Sequence, residues 1–392
     1  MSDIKRIPLN KLEIGMYVTE QSEGVADGRV QEKGFIRREE TLRKLQAKKI
    51  AEVYIDVKKG KDSPFALPVL TSQTTFKARV VLDEERSRAE KVYGEARGLM
   101  SDIIANVKMG KAIDVAPVEE LAEDINDSIL NNPNALLCLS QIREKDQYLL
   151  EHSINVGLLI SVFSTHLGYD KATVKELTMG GLLHDIGKIR VPYQVLNKPG
   201  KLTDDEWVEM KMHVAYGQAV LQESKGISDI AKSICGLHHE RLDGTGYPMG
   251  LSGDEINVYG RMAAVVDVYD AVTASRCYHK GMSPFEAMKL LVKMSEDHLD
   301  KGLVYSFIRC MSVYPVGTVV ELNNGLVGVV IEPNLQLPSE PKIRTFFNSK
   351  RRSFEAAKVV DLAKLPRDSK AEHKIMCTRE AEEFKVDIRD YL

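Results

Sequence analysis

The chain has 392 residues, which at roughly 150 residues per domain makes two or three units and excludes a single minimal module. With 43% hydrophobic and 28% charged residues it can bury more than one core, which sets disorder aside. Its 54 Lys and Arg against 57 Asp and Glu leave a net charge of −3, so there is no global basic field and DNA is not an expected partner.

Asn10, Lys11 and Glu13 fall where a secretory leader would need its apolar core, and no run of about eighteen apolar residues follows. A cytoplasmic protein without a membrane partner is expected. The five cysteines (Cys138, Cys235, Cys277, Cys310 and Cys377) are scattered, odd in number and without a CxxC pair. Reduced structural thiols are the reading, in preference to disulfides or a cysteine zinc site.

Residues 4–57 alternate short apolar runs with one helical stretch, predicting strands at 15–19, from 34 to 36 and at 52–56 and a helix over 39–49. This makes a small α/β module over 1–65. The stretch 58–75 mixes Lys, Gly, Pro, Ser and Thr without period and reads as a linker, so linker and helices fill 66–135. From Leu82 to about Met311 the pattern is helical, with a helix over 84–109, another over 118–131 opening on an acidic turn, and a catalytic bundle over 136–311. The stripe Ala89, Val92, Tyr93 and Ala96 is expected in the core, with a homodimer or a signalling helix as the minority reading. After Ser312 the period becomes two, and TVVELNNGLVGVVIE predicts a hairpin turning at Asn324-Gly325 in a β-rich segment over 312–392 that ends in a charged tail. The fold class expected is mainly α, a helical bundle flanked by a small α/β module and a β-rich C-terminal segment.

Seven of the nine histidines lie between residues 152 and 279. Five of them form an ordered set with two aspartates: His152, His184-Asp185, His213, His238-His239 and Asp267. The steps are 32, 29, 25 and 28 residues (152 to 184, 184 to 213, 213 to 238, 239 to 267). Each is about one helix pair with its connections, so each can return a side chain to the same end of a bundle. Adjacent His-Asp and His-His pairs cannot both be core residues on one helical face, because neighbours point about 100° apart. A metal would satisfy so many buried polar groups. Imidazoles and carboxylates without thiolate suit Fe, Mn, Ni, Co or Zn, and seven ligands suit two divalent ions sharing a carboxylate. Such a pair activates water for in-line attack at phosphorus, so phosphoester hydrolysis is the expected reaction class. Lys188 falls one helical turn after His184 and would set a cation on the same face if the helix continues.

The segment HHERLDGTGYP, residues 238–248, reads on its own as a helix end and a tight turn, and its GTG is a weak phosphate cradle. Together with HDIGK (184–188), KDQYLLEHS (145–153) and DVYDAVTASRCY (267–278), it resembles the HD-GYP phosphodiesterases, which hydrolyse the bacterial second messenger cyclic di-GMP. The resemblance covers roughly residues 140 to 310, and residues 4–57 look like the small N-terminal module often joined to this domain.

The resemblance implies that Asp185 bridges two metals, with His152, His184 and Asp267 completing one ion and His213, His238 and His239 the other. Fe or Mn is favoured. Lys188 and Arg276 would hold a phosphate, Asp146 would serve in acid-base catalysis near the attacking water, and Tyr247 would shape the substrate or partner side. Where some members carry a third-metal Glu, four residues before His152, this chain has Tyr148, so a binuclear centre is expected. The basic residue often found three positions after the phosphate-binding Arg is His279 here, followed by Lys280, which is assigned to substrate. Cyclic di-GMP opened to linear dinucleotide, with GMP as a further product, is the leading reading. The alternatives are 3′,3′-cyclic GMP-AMP as substrate, or a non-catalytic sensor contacting signalling proteins through the GYP loop.

Two further features carry plain readings. Trp207, the only tryptophan, follows a Thr203–Glu206 capping pattern and is expected in core or hinge packing more than in ligand stacking. The run Lys350-Arg351-Arg352 is expected to be a solvated face.

Overall fold

The computed structural model describes residues 3–19, 34–47, 52–69, 78–140, 148–274, 281–334 and 337–392. The N-terminal strands are β1 (Ile4–Pro8), β2 (Tyr17–Val18), β3 (Gly34–Phe35), β4 (Glu52–Asp56) and β5 (Leu67–Pro68), with helix α1 (Glu39–Gln46) on the sheet. They form one antiparallel sheet in the order β3-β2-β4-β1-β5, with Ile4 opposite Asp56 and Pro8 opposite Glu52. Alternate residues such as Ile7, Val18, Val53 and Ile55 meet Met16 and Leu45 in a small core of their own.

The stretch expected as a linker at 58–75 instead begins by closing this sheet. Leu67 and Pro68 pair with Arg6 and Lys5, and Ala66 is buried in the core. Period-two reading misses so short an edge strand, and Pro68 is tolerated there because one strand edge needs no N–H. The backbone N–H of Val258 then donates to Pro64 O at 3.0 Å, which seats the module on the helical domain.

The helices are α2 (Leu82–Lys108), α3 (Val115–Asn131), α4 (Pro133–Ser140), α5 (Tyr148–His166), α6 (Lys171–Leu183), α7 (Tyr193–Leu196), α8 (Asp204–Lys211), α9 (His213–Glu223), α10 (Asp229–Leu237), α11 (Val258–Thr273), α12 (Pro284–Met294) and α13 (Lys301–Met311). The stripe Ala89, Val92, Tyr93 and Ala96 of α2 lies in the main core, as its spacing predicts. α3 starts three residues before the expected position, since Pro117 in a first turn forfeits no intrahelical bond. α5 and α11 are buried along most of their length and α6 over its C-terminal half, and α5 crosses α6 backbone to backbone. A Cβ added at Gly181 would fall 2.8 Å from Gly157 Cα, so glycine at both places is what allows the approach.

The C-terminal strands are β6 (Val319–Leu322), β7 (Leu326–Glu332), β8 (Lys342–Asn348), β9 (Ser353–Asp361) and β10 (Ile375–Arg379), an antiparallel sheet in the order β10-β6-β7-β8-β9. The expected hairpin joins β6 to β7 with Gly325 at φ 91°, and Glu321 opposes Val327. Lys350, Arg351 and Arg352 form the exposed turn between β8 and β9. The charged tail folds back, with Phe384 and Tyr391 ringing Phe346 at 5.5 and 4.7 Å. No helix among the described residues is long and apolar enough to cross a membrane.

Candidate metal centre

All seven residues of the His/Asp set come to one end of the helical domain. His152 comes from α5, His184 is the C-cap of α6, His213 opens α9, His238 is the C-cap of α10, and Asp267 comes from α11. Both dipeptides sit where a helix stops. Past His184 and past His238 the backbone leaves helical geometry, and the two neighbours then turn toward one point instead of diverging.

Asp185 lies at the middle, with its two oxygens facing different partners. Oδ2 is 3.3 Å from both His152 Nε2 and His184 Nε2. Oδ1 is 3.4 Å from His213 Nε2 and 3.6 Å from His238 Nε2. Asp267 repeats the pattern, Oδ1 lying 3.1 Å from His152 Nε2 and Oδ2 3.7 Å from His239 Nδ1. Donor atoms of Asp185, His213, His238 and His239 lie within 4.8 Å of one another, as do those of His152, His184 and Asp185. Two donor groups thus share one carboxylate.

The rear nitrogens are already used. His184 Nδ1 lies 2.7 Å from Gly181 O, His213 Nδ1 2.7 Å from Met210 O and His238 Nδ1 2.9 Å from Cys235 O, while His152 Nδ1 lies 2.7 Å from Asp270 Oδ2. These contacts turn every Nε2 inward. Asp185 Oδ1, His213 Nε2 and His238 Nε2 are buried without a protein hydrogen-bond partner. Orphaned acceptors of this kind, converging on one point, fit a cation.

Electrostatics divides the histidines. Burial pushes His213 down to about 4, and burial with the His238 neighbour holds His239 well below the ordinary range, so both offer neutral nitrogen. For His152 burial acts the same way, but hydrogen bonds that the ring donates to Asp185, Asp267 and Asp270 outweigh it and hold the ring well above its usual value. Burial alone would raise Asp185, yet the Lys188 ammonium and His184 keep it well below the carboxylate range.

Lys188 reaches the centre by a different route from the one its spacing suggests. α6 ends at Leu183, and a 3-10 turn over Ile186–Arg190 carries the ammonium onto Asp185 Oδ2. That turn lies against α9, where a Cβ on Gly187 would collide with His213 O at 1.9 Å.

The segment after His239 is a built loop. The buried Glu240 carboxylate accepts from the N–H groups of Met249 at 2.7 Å and Leu251 at 3.0 Å. Asp243 Oδ1 accepts from Thr245 N and Oγ1 at 3.0 and 2.8 Å. Tyr247 is thereby set 4.7 Å from the His239 ring, its phenol kept protonated by burial. Trp207 is not in the core as its sequence context suggests. It is 47% exposed, and its ring lies 6.1 Å from Tyr247. Sequence reading missed the roles of Asp270 and Glu240. Asp270 could be sought one helical turn after Asp267 on the same face.

The HD domain family matches residues 137–303, a domain of unknown function (DUF3391) matches 4–118, and a KOW domain associated with HD domain matches 319–367. A cyclic di-GMP phosphodiesterase of Pseudomonas aeruginosa is 35% identical over 371 residues, covering 92% of this chain and 89% of its own length. The chain belongs to the HD-GYP family. The 3′3′-cGAMP-specific phosphodiesterase 3 of Vibrio cholerae is 31% identical over 209 residues, 50% of this chain and 45% of its own length, so this chain spans less than half of that relative. A solved HD-GYP-type protein of Bdellovibrio bacteriovorus overlays with a TM-score of 0.49 at 20% identity, over 78% of this chain and 98% of its own. Of the residues that the HD-GYP resemblance singles out, Asp146, Arg276 and Lys280 lie outside the described residues, as does His279.

Proposed function

We propose that this chain is a metal-dependent phosphodiesterase that opens cyclic dinucleotides, with cyclic di-GMP preferred. The observation that carries the reading is Asp185, one buried carboxylate whose two oxygens face two separate groups of histidines. The Pseudomonas aeruginosa relative, matched over 89% of its length, supports the substrate class.

In this reading the centre would hold two ions: Asp185 would be shared between them, His152, His184 and Asp267 would hold one, and His213, His238 and His239 the other. Iron or manganese suits imidazole and carboxylate donors without thiolate. When bound, divalent ions there polarise phosphoryl oxygens and lower the pKa of coordinated water.

The remaining work falls to side chains. Lys188 sets its ammonium at the rim of the buried carboxylate, where it meets a nonbridging phosphate oxygen and balances charge in attack. From the family resemblance, Arg276 would join Lys188 in holding a phosphate, Lys280 would contact substrate, and Asp146 would serve in acid-base catalysis near the attacking water. Tyr247 offers a protonated phenol and an aromatic wall on the solvent side. Buried free thiols at Cys138 and Cys235, both raised to about 12 by burial, are in keeping with action in the cytoplasm.

The full chain, purified without oxygen and loaded with Fe or Mn, should consume cyclic di-GMP faster than 3′3′-cGAMP, with linear dinucleotide in the chromatogram. Metal-loaded protein that leaves both intact would overturn the reading. The cGAMP-specific relative keeps that second substrate in the comparison.

A further inference from the structure

The buried cluster and Lys188 answer the phosphates of a dinucleotide, but a nucleobase needs a flat apolar face. The described residues put such a face at the mouth of the centre. Trp207, the only tryptophan in the chain, leaves 47% of its surface in solvent. Val208, Met212 and Met249 are exposed too, at 58%, 40% and 57%. Met212 directly precedes His213, and Met249 follows Tyr247-Pro248. Of these, Trp207 is the one tied to the centre by a contact, through Tyr247, which itself lies against His213 and His239.

A row of rings leads from the centre to this surface. The His239 ring is 4.7 Å from Tyr247 at 32°, and Tyr247 is 6.1 Å from Trp207 at 79°. At so steep an angle the two rings meet edge to face and do not stack, and the indole keeps 47% of its surface in solvent. The helix that carries the indole is also held in place. Thr203 and Glu206 close a capping box immediately before it, and Tyr216 Oη donates to Glu209 at 3.0 Å, tying α8 to α9. A half-exposed indole on an anchored helix, with only two side-chain torsions, loses little freedom on meeting a ligand.

We propose that Trp207 is the stacking platform for one purine base of the cyclic dinucleotide, placing that nucleotide beside Tyr247 while its phosphate enters the centre. This deepens the phosphodiesterase reading and rests on it for the identity of the ligand.

The test uses the metal-loaded full chain and cyclic di-GMP. Trp207→Ala should raise KM roughly 5- to 100-fold, the range for one lost base–aromatic stack, with kcat and metal content close to wild type. Trp207→Phe should recover most of the KM, because the flat face returns. A role limited to packing against Tyr247 would instead show as lost kcat or metal. Because Trp207 is the sole tryptophan, mixing wild type with cyclic di-GMP in a stopped-flow fluorimeter should quench the emission before product forms. An unchanged KM in Trp207→Ala, or emission unmoved at saturating cyclic di-GMP, would overturn the platform. If wild type turns over neither dinucleotide, the phosphodiesterase reading falls, and quenching by cyclic di-GMP still decides the platform by itself.

Discussion

Asp270 Oδ2 lies 2.7 Å behind His152 Nδ1, and both side chains are buried. The carboxylate fixes the imidazole so that Nε2 faces Asp185 and Asp267, and it raises the basicity of that nitrogen. Asp270→Asn keeps the volume and removes the charge. Metal affinity should fall about 10- to 100-fold, the usual effect of losing a carboxylate behind a ligating histidine. Titration of the stripped variant with Mn, followed by elemental analysis, checks it; unaltered affinity would show that Asp270 is only filling space.

Asp185 and Lys188 touch each other but should fail differently. Asp185→Ala removes the carboxylate shared by both donor groups, so metal content and rate should drop together. Lys188→Ala should leave metal bound and lower kcat/KM about 100-fold, as for a lost electrostatic donor to a developing charge. Elemental analysis beside steady-state kinetics separates the two. Equal metal loss in both would mean that Lys188 supports Asp185 and does not meet substrate.

Metal uptake should release protons. His152 is held well above its usual value by three carboxylates, so near neutral pH the apo ring carries a proton that must leave before Nε2 can ligate. His213, near 4, has none to lose there. The apparent affinity therefore rises with pH and weakens on acidification. Calorimetric titration with Mn in buffers of different ionisation enthalpy counts the protons; a heat independent of buffer would count against the assignment.

The cluster was legible in the sequence because its residues are specified by type; the 152-to-184 and 213-to-238 steps are the expected helix pairs, α5–α6 and α9–α10, whereas 184 to 213 runs through a 3-10 turn and short helices and 239 to 267 through a loop into α11. What sequence periodicity misses is local backbone and rear support. Lys188 arrives through a 3-10 turn where a helix was expected, because α6 stops at His184. Glu240 acts on loop amides, and no spacing rule marks a carboxylate for that work, while Asp270 is marked only by lying one helical turn after Asp267. Trp207 was misplaced for a related reason: a capping box predicts where a helix starts but says nothing about which face is covered. The edge strand β5 is two residues long, too short for any period to register.

The approach of α5 to α6 sets the distance between His152 and His184, whose Nε2 atoms are 3.2 Å apart. Gly181 is the place to test it. A Cβ there meets Gly157 Cα at 2.8 Å and Gly157 N at 3.0 Å, backbone atoms that cannot swing aside. Gly181→Ala should lower stability by about 1–3 kcal/mol, the cost typical of overpacking, and should also loosen metal binding because the two helices must part. Denaturant unfolding of the stripped protein reads the first effect, and Mn titration below the transition reads the second. Stability lost with metal affinity intact would mean that His152 and His184 adjust independently of the helix crossing.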